Sequence, residues 1–296
     1  LRVIGTPFSY TDIYQQLAEN PAYTVRTYPC LNALNEPLWE ERWNYEALMA
    51  RKAEVGSLMF TREYMCVPIS TGTSLFGPEH LDNAKNKDLV LKPLRREGYK
   101  YFIGIDPAIS TDGDYNVITV IEMDEEENKS VVYVDRAKNV QFRENIQKVK
   151  LLGQLFRPEV ILFETNTFAK SFTQELRQVA DLNVHDFDTT RRKKQEVILN
   201  LQMTLENGKM SFPYGNEESR KVTGLLVEEL SMFAITDRGK FEGIGAHDDM
   251  VMSLALANAA TYQASETFIL LDDLGLFDDD SKAVKRSVNS AIGLNF

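Results

Sequence analysis

Three apolar segments that follow one another closely between residues 98 and 139 limit the fold more than any other feature of the sequence. They read KYFIGIDPA, DYNVITVIEMD and KSVVYVDRAKN, and each has the β-branched and aromatic content of a strand. The connections between them are short and have turn composition. Parallel neighbours would need a long crossover, so the pattern predicts an antiparallel meander of three strands.

Helical and strand-like patterns alternate after this meander. FRENIQKVKLLGQLF has the apolar spacing of an amphipathic helix, and PEVILFETN has the composition of a buried strand. Further helices and short strands follow. The hairpin-like AITDRGKFEG then leads into the apolar helical segment VMSLALANAATY. A meander followed by such alternation predicts an α/β fold with a mixed sheet covered by helices.

The composition changes along the chain and divides it into three segments. Residues 1–95 contain helical patterns, a strand-like segment at TREYMCVPIS and a polar stretch typical of a linker. Residues 96–264 contain the predicted sheet and its helices. Residues 265–296 mix short apolar patches with acidic clusters, which indicates a tail that is flexible or binds a partner.

The overall composition is that of a globular protein with excess negative charge. The 296 residues carry a formal net charge of −11. The chain has no apolar run of membrane-spanning length and no signal peptide pattern. Cys30 and Cys66 belong to no C-x-x-C pair, which favours a cytosolic protein with inert thiols. The net charge argues against a general polyanion binder, although the RRKK run at residues 191–194 is a local basic patch.

Four carboxylates stand where the predicted elements begin or end. Asp106 ends the first strand, Glu164 ends the strand after the meander, and Asp248 and Asp249 open the last helix. Sites in open α/β sheets gather beyond the carboxyl ends of the strands. If the first and fourth strands pair in parallel, Asp106 and Glu164 are neighbours, and a helix packed across both strands adds Asp248 or Asp249. The pattern predicts a cluster of three or four carboxylates.

Such a cluster repels itself, so one member would have a raised pKa and stay protonated. Divalent cations remove the conflict, and sites built only from oxygen suit hard ions such as Mg²⁺ or Mn²⁺. Two such ions can stabilise both the attacking and the leaving oxygen of a phosphodiester. The sequence therefore predicts a two-metal site.

Each of these residues also has an ordinary structural interpretation. Asp106 suits a turn, Glu164 a surface ion pair and Asp248 a helix N-cap. His247 could approach the metals or the substrate, or it could cap or pack. The RRKK run suits the solvated first turn of a helix. The combination of carboxylates at one edge of one sheet is more specific than any single member.

The motifs GIDPA, ILFETN and GKFEGIGAHDDMVMSLALA, in this order, resemble the nuclease domain of the large terminase subunit of tailed double-stranded DNA bacteriophages. The resemblance implies an RNase H-like fold for residues 96–264. VIGTP and the segment from ERW to MCVP resemble the end of the terminase ATPase domain and its linker, so residues 1–95 are expected to be the remnant of that domain. The Walker motifs would lie upstream, and ATP would be a cofactor of that upstream part alone.

The resemblance also assigns roles to individual residues. Asp106 matches the first metal-binding aspartate, Glu164 the second acidic position, and Asp249, with Asp248 beside it, the third. Some relatives have a further acidic residue three positions after the second Asp of this motif, where this chain has Met252. Coordination at that corner therefore stays open, as does the choice between Asp248 and Asp249 for direct metal binding.

The implied activity is endonucleolytic cutting of concatemeric viral DNA during genome packaging, in a parent protein that pumps DNA with ATP. The implied partners are double-stranded DNA, a portal protein and a small terminase subunit, in the host cytoplasm and without a membrane. Another RNase H-fold nuclease, of the resolvase or transposase type, and a non-catalytic module that docks on the portal are the alternatives. Candidate DNA contacts are Arg191, Arg192, Lys193, Lys194 and Lys240.

Overall fold

The computed structural model of the chain describes residues 2–7, 12–68, 72, 74–92, 94–107, 115–165, 173, 175–177, 182–236, 240–244 and 247–264. The tail predicted for residues 265–296 and the turn of the predicted hairpin, at residues 237–239, lie outside these ranges. Within them, no helix combines the length and the apolar character needed to cross a membrane.

Among the described residues, four short helices precede the central sheet. They are α1 (Ile13–Glu19), α2 (Tyr45–Val55), α3 (Ser57–Glu63) and α4 (Pro78–Asn83). The prediction of a strand at TREYMCVPIS is wrong, because the first three residues belong to α3 and residues 64–68 form no strand. Helical spacing buries Met59, Phe60 and Arg62 on one side of α3. The division of the chain at residue 95 stays a prediction.

A seven-stranded mixed sheet lies at the centre of the described chain. Its strands are β1 (Lys85–Asn86), β2 (Lys100–Asp106), β3 (Asn116–Met123), β4 (Lys129–Ala137), β5 (Val160–Thr165), β6 (Val184–Asp188) and β7 (Met210–Pro213). Their spatial order is β1-β7-β4-β3-β2-β5-β6. The predicted meander is confirmed, because β2 and β4 both pair antiparallel with β3. The predicted parallel pairing of the first and fourth of these strands, β2 and β5, is confirmed too.

The order of the strands along the sheet is RNase H-like. If β2 is counted as the first strand and β6 as the fifth, the order across the sheet is third, second, first, fourth, fifth. The fifth strand, β6, pairs in parallel with β5. β7 and β1 extend the opposite edge, next to β4. The predicted α/β class with a mixed, RNase H-like sheet is therefore confirmed.

Helices cover both faces of the sheet. Those whose full bounds the structure describes are α5 (Phe142–Phe156), α6 (Arg191–Glu206), α7 (Glu217–Ser231) and α8 (Asp249–Ala264). α5 packs Ile146, Val149 and Phe156 against one face. α8 lies on the other face against β2, β3 and β5, with α6 and α7 beside it. Residues 250–261 of α8 are all buried, as expected for a helix that is apolar on every side.

α8 lies close to the sheet because position 104 of β2 has no side chain. A Cβ on Gly104 would overlap two backbone atoms of α8, the Ser253 oxygen and the Ala257 nitrogen. The Ser253 hydroxyl instead donates its one proton to the Gly104 carbonyl at 2.9 Å and accepts a hydrogen bond from the Thr119 hydroxyl, whose Oγ1 lies 2.9 Å away. These contacts fix both the height and the lengthwise position of α8 on β2.

Candidate active site

Asp106 and Glu164 are neighbours at the carboxyl ends of two parallel strands. Ile105 of β2 pairs with Phe163 of β5, so the residues that follow them, Asp106 and Glu164, also lie side by side. Ile105 and Phe163 belong to the core under α5. Because side chains alternate between the faces of a sheet, Asp106 and Glu164 both point to the opposite face, which α8 covers. Their carboxyl groups share a hydrogen bond.

The start of α8 adds two further carboxylates. α8 begins at Asp249, and the carbonyl of Asp248 accepts a helical hydrogen bond from the Met252 amide at 3.0 Å. The backbone amide of Tyr115, just before β3, donates to Asp249 Oδ2 at 3.1 Å. Asp249 is thereby tied to the edge of the meander.

The contact between Gly104 and Ser253 explains why the strand end and the helix start meet. Asp106 lies two residues beyond Gly104 on β2, a rise of about 7 Å. Asp249 lies one turn before Ser253 on α8, a rise of about 6 Å. The two displacements are nearly equal, so they bring Asp106 and Asp249 to the same place.

Asp106 carries the electrostatic cost of the cluster. Burial raises its pKa well above the usual range, and the negative charges of Glu164, Asp249 and Asp248 raise the pKa further. The hydrogen bond with Glu164 acts in the same direction, since it needs a proton on one of the two carboxyl groups. The raised pKa means that Asp106 holds a proton more readily than an isolated carboxyl group does.

The donor chemistry of the cluster fits a hard divalent cation. Carboxylate oxygens are the protein ligands preferred by Mg²⁺ and Mn²⁺, and positive charge would relieve the crowding that raises the pKa of Asp106. In the part of the chain that the structure describes, no three Asp, Glu, His or Cys side chains are already arranged to hold a metal ion. The site fits a cation in chemistry and charge, but the carboxylates do not form a ready-made cage.

The first turn of α6 places the predicted basic segment beside the carboxylates. Lys194 Nζ lies 3.0 Å from Asp248 Oδ2 and offsets part of the negative charge there. Thr190 caps the helix, with its hydroxyl oxygen accepting a hydrogen bond from the Lys193 amide at 3.3 Å. The first turn contains no acidic residue, and the Lys193 side chain is exposed.

The other predicted basic residues have different surroundings. Arg191 is exposed at the start of α6, whereas Arg192 Nε lies 3.2 Å from Glu196 Oε1 one turn further along. The predicted hairpin is present in its two strands, β8 (Phe233–Ile235) and β9 (Phe241–Gly243), which pair antiparallel. Lys240 is exposed just before β9, and β9 contacts α6. The basic residues thus lie on α6 and on the hairpin next to it.

His247 lies beside Asp249 without a hydrogen bond to it. The distance between His247 Nδ1 and Asp249 Oδ2 is 3.7 Å, and Nδ1 is buried with no hydrogen-bond partner among the described residues. The ring meets Tyr115 edge-on, with the two ring centroids 5.0 Å apart. This position suits the accessory role and the packing role that the sequence left open.

Sequence reasoning missed a polar ring around the start of α8. Glu229 of α7 accepts a hydrogen bond from the Met250 amide at Oε2, at 2.9 Å. Its other oxygen, Oε1, forms an ion pair with Arg136 of β4, also at 2.9 Å. The Arg136 guanidinium carbon lies 3.5 Å from the centroid of the Tyr115 ring, and the Tyr115 amide binds Asp249. Strand and helix patterns carry no signal for this ring, because its members come from separate elements that only the folded chain brings together.

Comparison with protein-family profiles and with curated protein sequences gives no match. Solved structures do match. The large terminase nuclease from thermophilic phage G20c is 23% identical, with a TM-score of 0.47 over 63% of this chain and 98% of that chain. A structure of the same nuclease with bound magnesium has a TM-score of 0.49 at 22% identity, over 63% of this chain and 97% of that chain. The large terminase of bacteriophage HK97 is 10% identical, with a TM-score of 0.49 over 85% of this chain and 61% of that chain. These structures are of large terminases or their nuclease domains, the family that the sequence motifs resemble.

Proposed function

We propose that this chain is a metal-dependent endonuclease that hydrolyses phosphodiester bonds of double-stranded DNA. The observation that carries the proposal is the hydrogen-bonded pair of Asp106 and Glu164, with Asp249 and Asp248 near enough to raise the pKa of Asp106. A cluster of carboxylates at the carboxyl ends of parallel strands is costly unless cations bind to it. That cost supports a site built for cations.

Asp106, Glu164, Asp248 and Asp249 would hold two Mg²⁺ or Mn²⁺ ions, which supply Lewis acidity for activating water and stabilising the leaving oxygen. The chain itself orients the donors. The Tyr115 amide holds Asp249 at 3.1 Å, whereas Lys194 draws Asp248 toward α6 at 3.0 Å. This difference favours Asp249 over Asp248 as the direct ligand.

The α6 end of the site is suited to the DNA backbone. Arg191 and Lys193 are exposed in a helical first turn without acidic residues, and Lys240 is exposed on the neighbouring hairpin. The positive end of a helix favours phosphate groups. Contacts of this kind give affinity with little sequence preference. We infer that these residues place the duplex across the carboxylates.

We propose that the biological substrate is concatemeric viral DNA, cut during genome packaging in the host cytoplasm. The parent protein would be an ATP-driven packaging motor that works with a portal protein and a small terminase subunit. This wider role rests on the terminase-like motifs of the sequence, GIDPA, ILFETN and GAHDDMVMSLALA.

Digestion of supercoiled plasmid tests the nuclease proposal directly. We expect nicked and linear products in the presence of Mn²⁺ or Mg²⁺ and none in EDTA. EDTA removes the divalent ions, and carboxylates alone do not supply the Lewis acidity that the proposed reaction requires. Product analysis by agarose gel electrophoresis is sufficient. A folded protein that never nicks DNA with either ion would favour the portal-docking module instead, and cutting confined to branched junctions or transposon ends would favour a resolvase-like or transposase-like nuclease.

Lys193→Ala is expected to weaken DNA binding and to make the binding less dependent on salt. Loss of one phosphate contact reduces the slope of log K against log salt concentration by about 1. Fluorescence anisotropy with a labelled duplex in EDTA, over a series of salt concentrations, measures this slope. Lys100→Ala is the matched control, because Lys100 is exposed at the opposite end of β2 from Asp106. Equal slopes for the two variants would place Lys193 outside the DNA interface.

A further inference from the structure

We propose that Glu229 and Arg136 are positioning residues that hold Asp249 in place for metal binding. The inference rests on the proposed nuclease function and adds two residues to its site. Neither residue would touch the metal or the DNA, and both would act through the first turn of α8.

Glu229 holds the beginning of α8 from a neighbouring helix. The first amides of a helix have no partner within the helix and need one from elsewhere. The Met250 amide finds this partner in Glu229 Oε2 at 2.9 Å. Glu229 is only 7% exposed, so water competes little for this hydrogen bond. The residue next to Asp249 is therefore fixed by a buried carboxylate.

Arg136 connects this anchor to the other side of Asp249. Its Nη2 lies 2.9 Å from Glu229 Oε1, and its guanidinium carbon lies 3.5 Å from the centroid of the Tyr115 ring. The backbone amide of Tyr115 donates to Asp249 Oδ2 at 3.1 Å. The contacts thus run from Met250 through Glu229, Arg136 and Tyr115 to Asp249 and close a ring.

A buried ion pair contributes little to the stability of a fold, so stability alone does not explain why Glu229 and Arg136 are paired here. Burial raises the pKa of Glu229, and the Met250 amide and Arg136 only oppose that shift. A further carboxylate also adds to the repulsion at Asp249. The contacts of the ring instead fix the position of the first turn of α8, and this position orients Asp249 toward Asp106. Groups that orient metal ligands change metal affinity when they are removed.

Three variants of the full chain separate orientation from charge. Glu229→Ala and Glu229→Gln remove the same negative charge, but only glutamine keeps an oxygen that can accept the Met250 amide. Glu228→Ala removes an equal charge from the exposed neighbour of Glu229 and is the control. Mn²⁺ binding, measured by electron paramagnetic resonance of the free ion, should be about 10- to 100-fold weaker for Glu229→Ala than for Glu228→Ala. Glu229→Gln should lie between them.

A second readout needs no metal. Amide hydrogen exchange at the start of α8 should be faster in Glu229→Ala than in Glu229→Gln or Glu228→Ala. Equal Mn²⁺ affinity and equal exchange in the alanine and glutamine variants would overturn the inference, because charge alone would then explain any change. The wild type could also bind no Mn²⁺ while the exchange difference between the variants is present. That result would overturn the proposed nuclease function and the role of the ring in metal binding, but the hydrogen bond from the Met250 amide to Glu229 would stand.

Discussion

Asp106→Asn is expected to abolish DNA cleavage, with a loss of more than about 100-fold, the upper range for residues that only support a metal ligand. Asparagine has the size of aspartic acid, and its amide can still donate a hydrogen bond to Glu164. It cannot supply the negative charge that a divalent cation requires. The rate of plasmid nicking in Mn²⁺ measures the effect.

The control for this variant is Asp88→Asn, which makes the same change of charge at an exposed residue after β1. It should cut DNA at the wild-type rate. If Asp106→Asn also cuts at that rate while remaining folded, Asp106 does not belong to the catalytic site.

The same substitution should stabilise the metal-free protein at neutral pH. The pKa of Asp106 is raised in the folded state, so the folded chain binds more protons than the unfolded chain between the ordinary carboxyl pKa and the raised one. Stability of the wild type is therefore lost as the pH rises through the raised pKa, and the asparagine variant lacks this loss. Thermal unfolding in EDTA should show a higher Tm for the variant at neutral pH, with the difference shrinking in acid. A lower Tm at neutral pH would contradict the assigned direction of the shift.

The carboxylate pair could be predicted from the sequence because local patterns and one rule of sheet topology determine it. The strand patterns end at Asp106 and Glu164, and short connections force the meander before them. Parallel pairing of β2 with β5 then places both residues at one edge. Each step uses the period of the strands and the length of the connections, which a single sequence contains.

The rest of the site depends on contacts between distant residues. Lys194 is 54 positions from its partner Asp248, and the RRKK pattern alone favours a solvated first turn of a helix. Glu229 lies in an amphipathic helix, where a glutamate is ordinarily exposed. The strand prediction at TREYMCVPIS was wrong because this short run has no decisive period; its first three residues are the end of α3. In each case tertiary packing decides the outcome, and the local pattern does not.

Gly104 is a further position that the sequence does not reveal, since glycine in a strand is ordinarily a weakness. In the folded chain the bare Cα of Gly104 is what allows α8 to rest on β2. Any side chain at this position would meet the Ser253 oxygen and the Ala257 nitrogen. Because these are backbone atoms in a buried helix, they cannot rotate away as the end of a flexible side chain would.

Gly104→Ala is therefore expected to destabilise the protein by about 3 kcal/mol or more, at or beyond the upper end for overpacked cores. It should also shift α8, separate Asp249 from Asp106 and abolish cleavage. Urea unfolding gives the change in the free energy of unfolding, and Mn²⁺-dependent nicking gives the change in activity.

Gly224→Ala provides the matched control with the opposite expected sign. Gly224 is exposed within α7, and a Cβ there would meet no atom within 4 Å. Since alanine favours a helix over glycine by about 0.5–1 kcal/mol, this variant should be more stable than the wild type and equally active. If Gly104→Ala unfolded at the same urea concentration as Gly224→Ala, the close approach of α8 to β2 would not be what holds Asp249 beside Asp106.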